Sequence, residues 1–283
     1  MDDPIIIRNL SELRSQVWEW RGFGETMAFV PTMGALHEGH LSLIKLASTN
    51  ASKVIASIFV NPTQFAPGED FESYPRQEES DIAKLKSAGC GLVYIPNPAS
   101  MYHPDHATSV KVGGVADGLE TDHRPTFFDG VALVVTKLLN RVAPDIAIFG
   151  EKDYQQLATI RRMVVDLDMP IKIVGAEIAR DAHGLALSSR NQYFDADGLA
   201  IARQLNVIMK ACVADLKKGD DINVATERAK TAFREAGFDG VDYISVADAN
   251  SLEIQETGIV DKPMRLLIAA HCKGVRLIDN CAV

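Results

Sequence analysis

Phe29-Val-Pro-Thr-Met-Gly-Ala-Leu-His-Glu-Gly-His40 leaves an apolar strand, turns at a glycine and sets two histidines three residues apart where a helix begins. A helix start offers backbone N–H groups and the positive end of the helix dipole. Two imidazoles one turn apart face the same way, so a polyphosphate can be held there and its developing charge met. Gly34 and Gly39 let backbone and ligand approach closely. Two other readings compete. His-Glu-x-x-His is a zinc-protease helix motif, but here His40 follows His37 by three residues rather than four, and no third ligand is obvious. Two ordinary histidines at a helix start, one capping and one exposed, would look the same, and the stretch alone leaves that choice open.

Outward from this stretch, apolar strand-like runs alternate with amphipathic helical ones, the pattern of a parallel sheet covered by helices. Strands are expected at Thr26 to Pro31, Val54 to Val60, Leu92 to Ile95, Ile146 to Phe149 and Ile171 to Val174. Helical spacing marks His40 to Ser48, Ser80 to Ala88, Val131 to Val142 and Tyr154 to Leu167. Ligands of such sheets sit beyond the carboxyl ends of the strands, where the polar loops after Val30, Val60 and Phe149 fall. Beyond Asn191 two helices, Asp195 to Lys217 and Asn223 to Ala236, precede strands near Val241 to Val246, Met264 to Ala270 and Val275 to Ile278. Gly274 marks a hairpin, and this part reads as a small α+β domain. The boundary is expected near Gly184 to Asn191, giving domains 1–184 and 185–283.

The 283 residues suffice for one large or two modest cores, and the formal charge of −9 argues against a nucleic-acid footprint. No run approaches the roughly 18 to 20 apolar residues of a membrane span, and Met1-Asp-Asp-Pro lacks the features of a signal peptide, so a cytoplasmic protein is expected. Cys90, Cys212, Cys272 and Cys281 lie far apart, without CxxC spacing, and read as unpaired thiols.

Further segments carry chemistry. Ser57 to Phe65 ends a strand with Asn61 and Gln64, amides that donate and accept without titrating and suit a hydroxyl or carboxylate. Asn-Pro as turn punctuation explains Asn61 equally well. Phe149 to Leu157 repeats the strand, glycine and helix-start arrangement, with Lys152 adding a mobile charge, Asp153 a helix cap, and Gln156 one turn on. Gly184 to Asn191 supplies Ser188, Ser189 and Arg190, whose guanidinium can fork two phosphate oxygens, although an ordinary polar loop would look similar. Tyr74-Pro-Arg76 and Arg124-Pro125 lie in loops; Arg124 suits a substrate carboxylate or a salt bridge.

Together these segments resemble the pantothenate synthetase (pantoate:β-alanine ligase) family of the HxGH nucleotidylyltransferase superfamily. PTMGALHEGH at 31–40, SIFVNPTQF at 57–65, YPR at 74–76, GEKDYQQL at 150–157 and LSSRN at 187–191 occur in the family's order, and the resemblance runs from about residue 5 to Asp279-Asn280. It implies a Rossmann-like, doubly wound N-terminal domain, a smaller C-terminal domain closing over ATP, and a homodimer. It further implies ATP-dependent joining of pantoate to β-alanine through a pantoyl-adenylate, with magnesium carried on the ATP phosphates rather than by dedicated protein ligands. Carried over by motif, Met33, Gly34, Ala35, Leu36, His37, Glu38, Gly39 and His40 line the nucleotide, as do Gly150, Glu151, Lys152, Asp153, Ala179, Leu187, Ser188, Ser189 and Arg190. Gln64 and Gln156 match residues holding pantoate, Gln64 lies beside the β-alanine position, and His40 matches the proton donor. Asn61, Tyr74 and Arg124 join the substrate side. Many members have histidine where this chain has Phe127, which removes any polar role there. Another HxGH nucleotidylyltransferase, or a nucleotide-binding regulatory module without turnover, are the alternatives; the acidic balance disfavours an aminoacyl-tRNA synthetase.

Overall fold

The computed structural model describes residues 3–283. In chain order it holds β1 (Ile5–Ile7), α1 (Leu10–Gly22), β2 (Met27–Thr32), α2 (Glu38–Asn50), β3 (Lys53–Ile58), α3 (Glu78–Ser87), β4 (Leu92–Tyr94), the short α4 (Pro98–Met101) and α5 (Glu120–His123), then α6 (Phe127–Val142), β5 (Ile146–Gly150), α7 (Tyr154–Asp166) and β6 (Lys172–Ala176). There follow α8 (Ala196–Lys218), α9 (Ile222–Glu235), β7 (Gly240–Asp248), β8 (Ile254–Gln255), β9 (Met264–Cys272) and β10 (Val275–Ala282). The chain divides into two compact units. The first takes 3–116, 124–151 and 156–177; the second takes Asp117–His123, Lys152–Gln155 and Ile178–Val283.

In the first unit six parallel strands run in the order β1-β4-β3-β2-β5-β6. Side chains alternate between the faces of each strand, and both faces are apolar. Met27, Phe29 and Ile55 point to a core with Leu13 and Val17 of α1, Val131 and Val135 of α6 and Ile160 of α7. Ala28, Val30, Val54 and Ala56 point to the opposite core, shared with Ile44 of α2 and Leu85 of α3. This is the expected doubly wound, Rossmann-like sheet.

Strand order reverses between β2 and β5, since β3 lies on one side of β2 and β5 on the other. The β2–β5 register pairs Ala28 with Ile146 and Phe29 with Ala147 and goes no further, while β2 continues to Thr32 and β5 to Gly150. The two strands therefore part toward their carboxyl ends. A crevice opens at such a switch point, and the loops starting at Met33 and Glu151 leave from its two lips.

β1 and α1 extend the expected element set at the amino-terminal side. Ile5–Ile7 is three residues long, too short for a periodic signal, and lies on the sheet edge beside β4. In α1, Asn9 caps the helix by accepting from the Glu12 N–H, and Leu13, Val17 and Trp20 form its buried stripe.

In the second unit β10-β9-β7-β8 form an antiparallel sheet, and α8 and α9 pack on it through Leu205, Met209 and Phe233 against Ile244, Leu266 and Ile268. The smaller domain is α+β, as expected. Burial pushes the Cys90 thiol up to about 12 and that of Cys212 up to about 11, so both stay protonated at neutral pH.

One close approach fixes how α6 sits in the first unit. A Cβ added at Gly130 would lie 2.2 Å from the Thr63 carbonyl oxygen and 2.8 Å from the Gln64 Cα. Only glycine lets α6 rest against the turn Pro62–Gln64. Gly130→Ala is expected to lower folding stability by about 3 kcal/mol, read as a reduced urea midpoint with an unchanged slope.

Candidate active site

The two histidines interlock at the start of α2. His37 is the N-cap, its Nδ1 accepting from the Gly39 N–H at 3.1 Å, and the Nδ1 of His40 accepts from the His37 N–H at 3.3 Å. This is a capping box in which imidazoles replace the usual hydroxyl and carboxylate. The ring centroids are 4.2 Å apart. Backbone N–H groups are donors without ambiguity, so both Nδ1 atoms act as acceptors. A neutral imidazole that accepts at Nδ1 carries its hydrogen on Nε2, and each ring thereby presents an N–H donor on its other side.

The preceding turn is held from outside its own segment. Asp81, on α3 and wholly buried, accepts from the Ala35 N–H through Oδ2 and from the Leu36 N–H through Oδ1, both at 2.8 Å. Lys84 lies 3.9 Å from the same carboxylate and donates to the Leu36 carbonyl at 2.8 Å. Gly34 has φ of +84°, where a Cβ would meet Asp81 Oδ2 at 3.0 Å, and Ala35 follows at φ of +50°. Thr32 ties the turn to the sheet, donating to the Ser57 carbonyl at 2.7 Å and accepting from the Gly34 N–H at 3.2 Å.

Gln64 ends the turn after β3. Its Nε2 lies 3.2 Å from the Met33 sulfur, which brings the segment after β3 beside the segment after β2. Asn61 is 1% exposed and donates to Gln64 Oε1 at 3.0 Å. Arg124 donates to the Gln64 carbonyl at 3.2 Å, and its fork holds both oxygens of Glu69 at 2.7 Å. Its guanidinium stacks on the Phe127 ring at 3.8 Å, so the aromatic residue supplies a cation–π contact. Tyr74 is buried edge-on against Phe65. Both Arg124 and Tyr74 thus brace the loop that carries Gln64. Gly150 ends β5, Glu151 follows it, and Gln156 is half-buried in the first turn of α7.

The remaining motif residues lie in the second unit. The Lys152 ammonium is 3.8 Å from the Asp153 carboxylate, and the Lys152 carbonyl accepts from Asn280 Nδ2 at 2.8 Å. Arg265 donates to Asn280 Oδ1 at 2.6 Å and stacks on Tyr154, whose hydroxyl donates to the Ala249 carbonyl at 2.7 Å. Ala179 accepts from the Leu187 N–H at 2.9 Å. Ser188 caps the short turn Ser189–Tyr193 by accepting from the Arg190 N–H at 3.3 Å. Arg180 forks onto the buried Asp279 at 2.6 and 2.9 Å, which fastens the segment just before this loop to β10.

Asp81, Asp279, Asn280 and Tyr102 are absent from the sequence-based site. Asp81 had a signal: it shares a stripe with Leu85 on α3, and an acid on a buried stripe is there to meet a donor. For the other three the decisive partner lies far off in sequence, Lys152 at 128 residues from Asn280, Arg180 at 99 from Asp279 and Asn61 at 41 from Tyr102, beyond any local pattern.

A doubly wound α/β protein with an imidazole-capped helix start at its switch point belongs with nucleotide-handling enzymes. Residues 5–282 match the family model for pantoate-beta-alanine ligase. The chain is 49% identical over 284 residues to pantothenate synthetase from Caulobacter vibrioides, covering all of both chains. It is 50% identical over 273 residues to that from Maricaulis maris, covering 96% and 94%. A crystal structure of pantothenate synthetase from Thermus thermophilus superposes with a TM-score of 0.91 at 38% identity and covers 98% of each chain. That of pantoate-beta-alanine ligase from Francisella tularensis, complexed with β–γ ATP and β-alanine, has a TM-score of 0.83 at 32% identity, covering 98% and 97%. The chain belongs to the pantoate–β-alanine ligase family; it is an enzyme, a carbon–nitrogen ligase of that family.

Removing the Asp81 carboxylate takes the acceptor from two buried N–H groups at once. Asp81→Ala is expected to cost about 3 kcal/mol of folding stability in urea titration. At temperatures where the variant is still folded, affinity for an ATP analogue measured by calorimetry should fall with it, because the turn that sets α2 is slackened.

Proposed function

We propose that this enzyme makes pantothenate, the coenzyme A precursor, in two steps. The pantoate carboxylate first attacks the α-phosphorus of ATP; the bond to pyrophosphate breaks and a pantoyl-adenylate forms. The β-alanine amine then attacks the activated carbonyl, an amide bond forms, the amine loses a proton and AMP leaves. The observation that carries this reading is the start of α2, where His37 and His40 accept at Nδ1 and turn donors outward from a dipole-positive helix end. Family membership, and the complex of the Francisella relative with β–γ ATP and β-alanine, support it.

A carboxylate is a poor acylating group at neutral pH, so the work of the site is to stabilise negative charge gathering on the α-phosphate and the departing pyrophosphate. In this reading His37 and His40 supply fixed N–H donors, His40 hydrogen-bonding the leaving oxygen, while Lys152 and Arg190 supply positive charge and Ser188 and Ser189 shorter bonds. Met33 through His40, Gly150 through Asp153, Ala179 and Leu187 through Arg190 line the nucleotide. Gln64 and Gln156 hold pantoate without adding charge to an anionic nucleophile, and Gln64 also meets β-alanine. Asn61, Tyr74 and Arg124 complete the substrate side, the last two through the Gln64 loop they brace.

Magnesium, when bound, neutralises phosphate charge. We propose that it is carried on the ATP phosphate oxygens. We further place residues 1–184 as the ATP- and pantoate-binding domain and residues 185–283 as a lid that keeps the anhydride from water. The enzyme is proposed to work in the cytoplasm as a homodimer.

Two measurements test the reading. His40→Ala and Lys152→Ala should each lower the adenylation rate on the order of a hundredfold while circular dichroism stays at the wild-type value; the melting temperature should hold in Lys152→Ala and fall by a few degrees in His40→Ala, which loses one bond of the capping box; unchanged rates in both folded variants defeat the assignment. Pantoate alone should support exchange of labelled pyrophosphate into ATP, with AMP formation requiring β-alanine as well. Exchange that needs β-alanine removes the separate adenylate step.

A further inference from the structure

The hydrogen bonds around Asn61 fix which way its amide points. Asn61 Oδ1 lies 3.3 Å from the Thr63 backbone N–H, which can only donate, and Nδ2 lies 3.2 Å from the Gly130 carbonyl, which can only accept. The amide therefore cannot be turned over without setting donor against donor and acceptor against acceptor. The second hydrogen on Nδ2 goes to Gln64 at 3.0 Å, so the Gln64 atom there must be the carbonyl oxygen. Gln64 Nε2 is left on the other side, toward Met33.

Tyr102, which follows α4, adds the shortest bond in the set: its hydroxyl donates to Asn61 Oδ1 at 2.8 Å. Thr63 Oγ1 donates to the same oxygen at 3.0 Å. Both hydrogens of the Asn61 amide are committed to Gly130 and Gln64, and its oxygen takes three donors. Tyr102 is itself set by Phe59 and His106 packed against its ring, and the Lys137 ammonium stands 5.6 Å from the ring centre. Burial pushes its phenol above the ordinary value, so at neutral pH it remains a donor.

We propose that Tyr102 and Asn61 form a hydrogen-bond relay that locks the Gln64 amide with its NH2 group toward the substrate, which makes Tyr102 a positioning residue and restricts that subsite to a hydrogen-bond acceptor. The substrate atom met by Gln64 is then a carboxylate or hydroxyl oxygen, and an analogue presenting an ammonium or amide N–H at this point is refused. The inference deepens the proposed function, since it takes pantoate as the molecule that Gln64 meets.

The test uses the full chain. Tyr102→Phe weakens the relay and Asn61→Asp, nearly the same in shape, abolishes its donors, so that Gln64 turns its NH2 toward residue 61. In the ligand-free, 15N-labelled enzyme the Gln64 side-chain NH2 pair, identified by its loss in Gln64→Ala, should shift in both variants. The KM for pantoate should rise about fivefold in Tyr102→Phe and about a hundredfold in Asn61→Asp with the KM for ATP unchanged, the second being larger because an acceptor then faces an acceptor. In a Gln64→Ala background, adding Tyr102→Phe should change the KM for pantoate no further. An unmoved NH2 pair in both variants, or a Tyr102→Phe effect that persists undiminished without Gln64, overturns the relay. If the NH2 pair shifts while Gln64→Ala leaves the KM for pantoate at its wild-type value, the relay stands and pantoate is not what Gln64 holds.

Discussion

The first unit's chemistry depends on one buried carboxylate. Asp81 holds the Ala35 and Leu36 N–H groups, and those two residues decide where α2 begins and which way His37 and His40 face. The turn itself is unfavourable: glycine at φ of +84° is followed by alanine at +50°, a conformation that costs a non-glycine residue on the order of 1 kcal/mol. Two charge-assisted hydrogen bonds in a dry setting offset that cost. The strained backbone is thus stabilised from α3, and the donor surface at the start of α2 is set before any ligand arrives, which is what electrostatic stabilisation of a developing charge requires.

The turn that carries Gln64 follows the same logic from a different direction. Gly130 lets α6 press on Thr63 and Gln64, Asn61 orients the side-chain amide, and Arg124 holds the backbone carbonyl while Glu69 satisfies its fork. Arg124 shows how one residue type can be read two ways. A guanidinium near an acid-binding subsite suits a substrate carboxylate, yet here its planar fork is filled by Glu69 and its face by Phe127. Phe127 thus serves as an aromatic face that stacks on the cation.

Much of the fold was legible because its signals are local. Alternating apolar runs marked β2 through β6 and the helices α2, α3, α6 and α7, and the strand, glycine and helix-start pattern recurred after β2 and β5 because both loops leave the same switch point. β1 escaped because three isoleucines on an edge carry no period, and β8 because two residues carry none. At the site, His37, His40, Gln64, Lys152 and Ser188 announced themselves through motifs. The groups that hold them did not: Asp81 meets a turn 45 residues earlier, Tyr102 meets an amide 41 residues earlier, and Asn280 reaches the Lys152 carbonyl from 128 residues away. A motif records the atoms that face a ligand, whereas the atoms behind them are chosen by the tertiary fold.

Glu120 adds a temporal dimension to this long-range bonding. Its side chain is 7% exposed, and one oxygen accepts from Arg276, a residue 156 positions further along the chain that also binds Asp242. During synthesis the acid leaves the ribosome first, and at about 5 to 20 residues per second its cation follows roughly 8 to 30 seconds later. Until then the bond from Arg276 to Glu120 is unmade. The ion pair that fastens the strip 117–123 to β10 therefore cannot form until Arg276 has been translated, so this contact is among the later ones available to the second unit.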